Sequence, residues 1–282
     1  MSRDYKSAIK EMYEGEFRLR LYSDLDRVKE GLNIEERQVT EKYLKSYLNS
    51  NQPVKLLNIG CGGGREAFAL ETMGFRVTAV DISGKMIEEA ERNRENLKSN
   101  VEFICTDTDD LNFEEGTFEI IIMWNQIFEN ILESDDRIKT LKTCHRLLKA
   151  GGILSYTVFN SAYSFRNLRG VLKFNDSFFG PAKNFILWKI FMKLSRFKLF
   201  FSDRDLFKKR IVYINKKGFP SGGKSSGAVL AHLHDYPEII EEINLSGFSQ
   251  FDIMPYESLR YPDKYDWDKR RSVLNYITCT KN

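Results

Sequence analysis

Residues 55–81 read KLLNIGCGGGREAFALETMGFRVTAVD and place Gly60, Gly62, Gly63 and Gly64 within five positions. Each glycine in ordered chain costs conformational entropy, so a cluster this dense needs a reason. Between an apolar run and a helix-like stretch, that reason is a tight turn or a close approach of backbone to a bound ligand. The dinucleotide fingerprint G-x-G-x-x-G fails here, because the sixth place counted from Gly60 is Arg65. A cofactor with an amino-acid moiety in place of a pyrophosphate suits the pattern that remains. A purely structural corner is the alternative.

Three further groups could do chemistry. His232 and His234 stand two apart in AVLAHLHDYPEII, so a strand would put both on one face. Such a pair could supply a base that titrates near neutrality, or could be hydrogen-bonded structural histidines. Asp107, Asp109 and Asp110 crowd one loop, which reads as a solvated acidic loop or, with no His or Cys to support it, far less well as a metal site. Asn125 and Gln126 follow Trp124 at the end of an apolar run, where helix capping competes with a ligand role.

The elements that position these residues follow from periodicity. From 54 to 160 the short apolar runs KLLNIG, RVTAVD, VEFICTD, FEIIIMW and GILSYTVF alternate with helix-like stretches such as SGKMIEEAERNRENLK. Five such runs imply a parallel sheet covered on both faces. Residues 1–50 read as a helical cap and 51–160 as a cofactor-binding core. Residues 161–228 form a basic, aromatic insert, and 229–282 resume the core with a helix and two more strands. The expected fold is α/β, a seven-stranded Rossmann-like sheet with N-terminal helices and a helical insert after the fifth strand.

Composition narrows the class. The 282 residues are 42% hydrophobic and 29% charged, ordinary for a globular protein. No apolar run reaches eighteen residues, which argues against a membrane span, and the start MSRDYKSAIKEMYEGEF has charges where a signal peptide would be apolar. Cys61, Cys105, Cys144 and Cys279 lie far apart, which suits reduced thiols in the cytoplasm and neither disulfides nor zinc. The net charge of +3 hides fifteen Lys and Arg against three Asp between 161 and 230, leaving the rest acidic.

LLNIGCGGGR, VTAVDIS, CTDTDDLNF and RLLKAGGILSYT, in this order and spacing, resemble the class I S-adenosylmethionine-dependent methyltransferases. The resemblance covers roughly 54–160 and, more weakly, 230–282. It implies S-adenosylmethionine as cofactor, with Gly60, Cys61 and Gly62 around its methionine end and Asp81, beside Ile82, accepting from both ribose hydroxyls. It further implies that Asp107 receives the adenine amino group, that Thr108 offers a backbone N–H to the ring, and that Gln126, beside Asn125, contacts the cofactor. Asn58 stands where the family often has an acidic residue, and an amide cannot pair with the cofactor's ammonium. No N-P-P-Y stretch follows the fourth strand, which argues against adenine or glutamine amines as acceptors.

These readings lead us to expect a cytoplasmic methyltransferase acting at oxygen or nitrogen of a small polar or anionic metabolite, by in-line displacement and without a metal. The insert, with Phe185, Trp188, Met192 and Leu194 among Lys189, Lys193, Arg196 and Lys198, would cap the acceptor cleft, and GFPSGGKSSG would serve as a mobile link closing it. An RNA methyltransferase that uses this insert, a lipid-facing insert, and a non-catalytic cofactor-binding scaffold are the less favoured alternatives.

Overall fold

A computed structural model describes residues 2–49, 52–125, 127–161, 194, 197–201, 204–214, 220–221, 229–260 and 274–282. Seven strands form the main sheet: β1 (Lys55–Ile59), β2 (Arg76–Asp81), β3 (Glu102–Cys105), β4 (Phe118–Met123), β5 (Leu148–Phe159), β9 (Gln250–Pro255) and β10 (Leu274–Thr280). Their order is β3-β2-β1-β4-β5-β10-β9. The first five run parallel, and β10 is antiparallel to both β5 and β9. This is the seven-stranded architecture expected from the alternating pattern.

The strands read as nearly continuous apolar runs because both faces are covered. Period two divides them. Leu56 of β1 and Ile120 and Ile122 of β4 pack on one side, with α5 (Arg65–Thr72) and α6 (Gly84–Leu97). Leu57 and Ile59 of β1, with Ile121 and Met123 of β4, face the other side, against α7 (Ser134–Leu147) and the helix Tyr236–Leu245.

Residues 2–49 are mostly helical: α1 (Ser2–Tyr13), α2 (Glu16–Ser23), α3 (Leu25–Lys29), α4 (Ile34–Val39), a π turn at Thr40–Leu44 and a 3-10 turn at Lys45–Asn49. Their starts follow local chemistry. Asp24 caps α3 by accepting from the N–H of Asp26 and Arg27, at 3.1 and 3.2 Å. Asn33 and Glu36 form a reciprocal capping box on α4.

The insert is not purely helical. Besides the helix Arg204–Lys208, its described part holds β6 (Ile211–Ile214) and β7 (Pro220–Ser221), which join β8 (Val229–His232) in an antiparallel sheet. The β-branched run Ile211-Val212 explains β6, though basic neighbours on both sides obscure it in the sequence. Just past β8 the chain rejoins the core, where the His234 N–H donates to the Phe159 carbonyl at 2.9 Å. No helix among the described residues is long and apolar enough to cross a membrane.

Candidate functional site

β1 pairs with β2 on one side and β4 on the other, so connections leave it in opposite directions and open a crevice at the carboxyl edge. A cavity of ≈ 260 Å³ lies there. Its floor is Gly60 to Gly62 after β1, Asp81 at the end of β2 and Ile82 after it, Asp107 and Thr108 after β3, and Asn125 after β4. Its roof comes from the N-terminal helices, through Tyr5, Lys6, Ile9, Tyr13, Tyr22 and Arg27.

The glycine turn is crowded from two directions. Gly60 has φ +73, and a Cβ there would stand 2.3 Å from Cδ1 of Ile127, a cavity-lining side chain. At Gly63 a Cβ would come within 2.5 Å of the Ser23 Cα and the Tyr22 carbonyl, which is the backbone of α2. The cluster therefore clears space for the chain's own cap and for the Ile127 side chain that lines the cavity. Asn93 ties the same contact, donating to the Ser23 carbonyl at 2.9 Å and the Gly63 carbonyl at 3.2 Å. Gly63→Ala is expected to cost about 2 kcal/mol by overpacking and to loosen the cap. Limited proteolysis should then cut residues 24–31 several-fold faster; an unchanged digestion pattern would contradict this reading.

Asp81 anchors the turn. Its Oδ2 accepts from the Gly62 N–H and its Oδ1 from the Ser83 N–H, each at 2.9 Å. Burial pushes its carboxyl up, against the N–H groups of Ser83, Gly62 and Ile82, which favour the charged form. Across the cavity, Lys6 donates to both oxygens of Asp107, at 3.1 and 3.0 Å, and to Asp109 at 2.7 Å. Burial lowers the Lys6 ammonium, but these carboxylates outweigh it and hold it above its ordinary value. Asp107 also accepts from the Thr108 hydroxyl at 3.0 Å.

A second charged cluster was not legible in the motifs. Arg65 donates to Glu36 at 2.7 and 2.9 Å and pairs with Glu66 at 2.5 Å. Asn125, held at φ +60, donates to Glu36 at 2.8 Å and also to Glu66. Two carboxylates thus face one guanidinium, leaving an excess of negative charge beside the glycine turn. Burial raises the Glu66 carboxyl, with Arg65 opposing. The N-x-x-E of the capping box was the one sequence signal for Glu36.

The remaining predicted residues divide. Cys61 lines the cavity, its thiol pushed well up by burial. Asn58 is buried in β1 and is not part of the lining; its amide nitrogen has no hydrogen-bond partner among the described residues. Gln126, Phe185, Trp188, Lys189, Met192, Lys193 and Arg196, with most of the GFPSGGKSSG tract, lie outside the described residues.

His232 and His234 come together, their rings 4.6 Å apart, but both are buried and neither lines the cavity. His232 Nε2 lies 2.9 Å from Glu238 Oε1, and His234 stacks on Phe128 at 5.4 Å. Burial, then the charges of His232 and Arg137, drive His234 well below its ordinary value and keep it neutral. Burial raises Glu238, but the His232 hydrogen bond and nearby positive charges outweigh it and hold the carboxyl at about 2.

Residues 56–152 match the family model described as "Methyltransferase domain". The chain is similar to the cypemycin N-terminal methyltransferase of a Streptomyces species, 35% identical over 39% of this chain and 44% of that one. It is also similar to the ubiquinone biosynthesis O-methyltransferase of Coxiella burnetii, 32% identical over 37% of this chain and 43% of that one. The chain spans about half the length of the curated relatives it matches. Among solved structures, an S-adenosylmethionine-dependent methyltransferase from Clostridium acetobutylicum superposes with a TM-score of 0.57 at 14% identity, covering 98% of each chain, a likeness of fold. With the strand order and the glycine turn, these matches show that residues 56–152 form a methyltransferase domain, in a fold shared with S-adenosylmethionine-dependent methyltransferases.

Proposed function

We propose that the protein transfers the methyl group of S-adenosylmethionine to oxygen or nitrogen of a small polar or anionic acceptor. One observation carries this reading: the glycine turn, Asp81 and the Asp107 loop converge on a single cavity at the carboxyl edge, under a helical roof. The residues present fit the cofactor. A Cβ at Gly60 would push on Ile127 of the cavity lining, and Asp81 keeps acceptor capacity beyond its backbone partners.

In this reading Asp81 holds the sugar hydroxyls, and Asp107 with the Thr108 backbone holds the adenine edge. Glu66, backed by Glu36, supplies the negative charge toward the ammonium that Asn58 cannot. When bound, S-adenosylmethionine supplies a methyl already activated by its sulfonium. The chain's own task is alignment: an acceptor about 3 to 3.5 Å from the methyl carbon, in line with the departing sulfur, with water excluded. Tyr13, Tyr22 and Ile9 of the roof do the excluding. A buried, neutral His234 and a His232 engaged by Glu238 fit a structural role better than that of a base, so we assign neither to proton transfer.

Arg27 supports an anionic acceptor. Lys6 and Arg65 are neutralised by carboxylates, whereas Arg27 lines the cavity with its guanidinium 5.5 Å from the Tyr22 ring centroid. One relative is named an N-terminal methyltransferase and another an O-methyltransferase, which supports nitrogen or oxygen as the atom methylated. The test is label transfer from methyl-labelled cofactor to a panel of carboxylate- and phosphate-bearing acceptors. Arg27→Ala should raise KM for the active acceptor about tenfold, the loss of one charge-assisted hydrogen bond, with calorimetric cofactor affinity unchanged. A tenfold loss of cofactor affinity at constant acceptor KM would instead assign Arg27 to the cofactor's carboxylate and defeat the anionic-acceptor reading.

A further inference from the structure

The described part of the insert leaves apolar side chains in water. Leu194, Phe197, Phe200 and Phe201 are 59%, 67%, 40% and 70% exposed. Among the described residues, the other exposed large hydrophobics are Phe17, Ile34 and Leu245, scattered singly along the chain. Isolated cases like these need no explanation, whereas four within eight residues form a patch, which marks an interaction site.

The patch is anchored from beneath. Leu199, in the same helical turn at 197–201, is 1% exposed and packs in a cluster with Phe159, Val212, Ala231 and Leu233. Ile9 and Met12 of α1 pack on that cluster, and Ile9 also lines the cavity. The rings touch edge to face: Phe197 with Phe201 and Phe200 with Phe201 at 5.1 Å, and Phe200 with Phe207 at 5.3 Å. Lys198, Arg204 and Lys208 are exposed among them, with the Arg204 guanidinium 5.5 Å from the Phe200 ring centroid. Asp205 is the one exposed carboxylate in the described residues of 194–210.

The occupant follows from this mixture. A second copy meeting the patch through a two-fold axis would set Lys198, Arg204 and Lys208 against their own equivalents, so like charges would oppose it. Single-stranded nucleic acid needs open ring faces in series for bases to stack on. Here the rings turn edges and faces to one another, and Leu194 has no π face. Hydrocarbon accepts any ring orientation, and a basic rim suits negative headgroups. We propose that Leu194, Phe197, Phe200 and Phe201 dock this protein on an anionic lipid surface, with Lys198, Arg204 and Lys208 at headgroup level. Because Leu199, beneath the patch, shares a cluster with Ile9, docking places the membrane beside the roof of the cavity.

Co-sedimentation of the full chain with phosphatidylglycerol-containing vesicles, compared with pure phosphatidylcholine vesicles, tests this. The wild type should bind the first at low salt and not the second. Phe197→Ser with Phe201→Ser should weaken binding at least about tenfold, and Lys198→Glu with Lys208→Glu several-fold. These are surface positions, and an unchanged thermal melt confirms that the variants fold. The proposal is overturned by no wild-type binding to anionic vesicles, or by undiminished binding of the double serine variant. A concentration-dependent dimer that the serine variant abolishes would overturn it in favour of a second copy, and single-stranded RNA binding in place of vesicle binding in favour of nucleic acid.

Discussion

Replacing Asp81 with alanine is expected to abolish binding of S-adenosylmethionine measurable by titration calorimetry, a loss of at least about a hundredfold. Two effects combine. A carboxylate accepting from two ribose hydroxyls makes two charge-assisted hydrogen bonds, each worth about 1.5 to 3 kcal/mol. The same carboxylate fixes the turn, because its two oxygens take the N–H groups of Gly62 and Ser83. Alanine removes the ligand contacts and frees the Gly62 backbone, which lines the cavity, to relax. Asp81→Asn separates the two: it keeps one acceptor oxygen, but its amide presents N–H donors where one backbone N–H or hydroxyl needs an acceptor. An intermediate affinity is expected for it. A folded Asp81→Ala protein that binds the cofactor like the wild type would remove Asp81 from the site and with it the central support for the proposed chemistry.

The parts of this molecule legible in its sequence are those written by local rules. The glycine cluster after KLLNI announces a tight turn, and alternation of apolar runs with helical stretches announces a sheet covered on both faces. Asp81 at the end of RVTAVD needs only the strand boundary to be placed. What was not legible depends on long-range contact. Gly63 read only as one more glycine of the turn, yet its neighbour is the backbone of Tyr22 and Ser23, forty residues earlier in the chain. The pairing of Glu36 with Arg65 and Asn125 joins three elements that share no motif, so spacing cannot reveal it. Lys6 is one basic residue among many until the fold sets it against Asp107. His232 and His234 were placed on one face by period two, but period says nothing about what covers that face, and here Phe128, Glu238 and Glu242 cover it.

That buried cluster sets the second large expectation. Arg137 in α7 is 1% exposed and spends its donors on Glu242 at 2.7 Å, Glu238 at 3.0 Å, and the carbonyls of Ile131 and Leu132 at 3.0 and 2.8 Å. It thereby joins α7 to the helix Tyr236–Leu245 and holds the chain at Ile131, which lines the cavity. Arg137→Ala strands these partners unequally. Glu238 keeps His232 and Arg210, whereas Glu242, 2% exposed, keeps among the described residues only the weak donor Ser134 at 3.3 Å and a neutral His234 at 3.6 Å. An uncompensated charge buried in this way costs about 3 to 5 kcal/mol, which lowers Tm by roughly 10 °C in a domain this large. The double variant Arg137→Met with Glu242→Leu removes both charges and refills the space, so it should recover most of that loss, since well-packed apolar replacements of buried pairs are often neutral. Differential scanning calorimetry of the three proteins decides. If the double variant melts as low as Arg137→Ala, the hydrogen bonds to the Ile131 and Leu132 carbonyls and the packing of the arginine stem stabilise this junction, and the charge pairing does not.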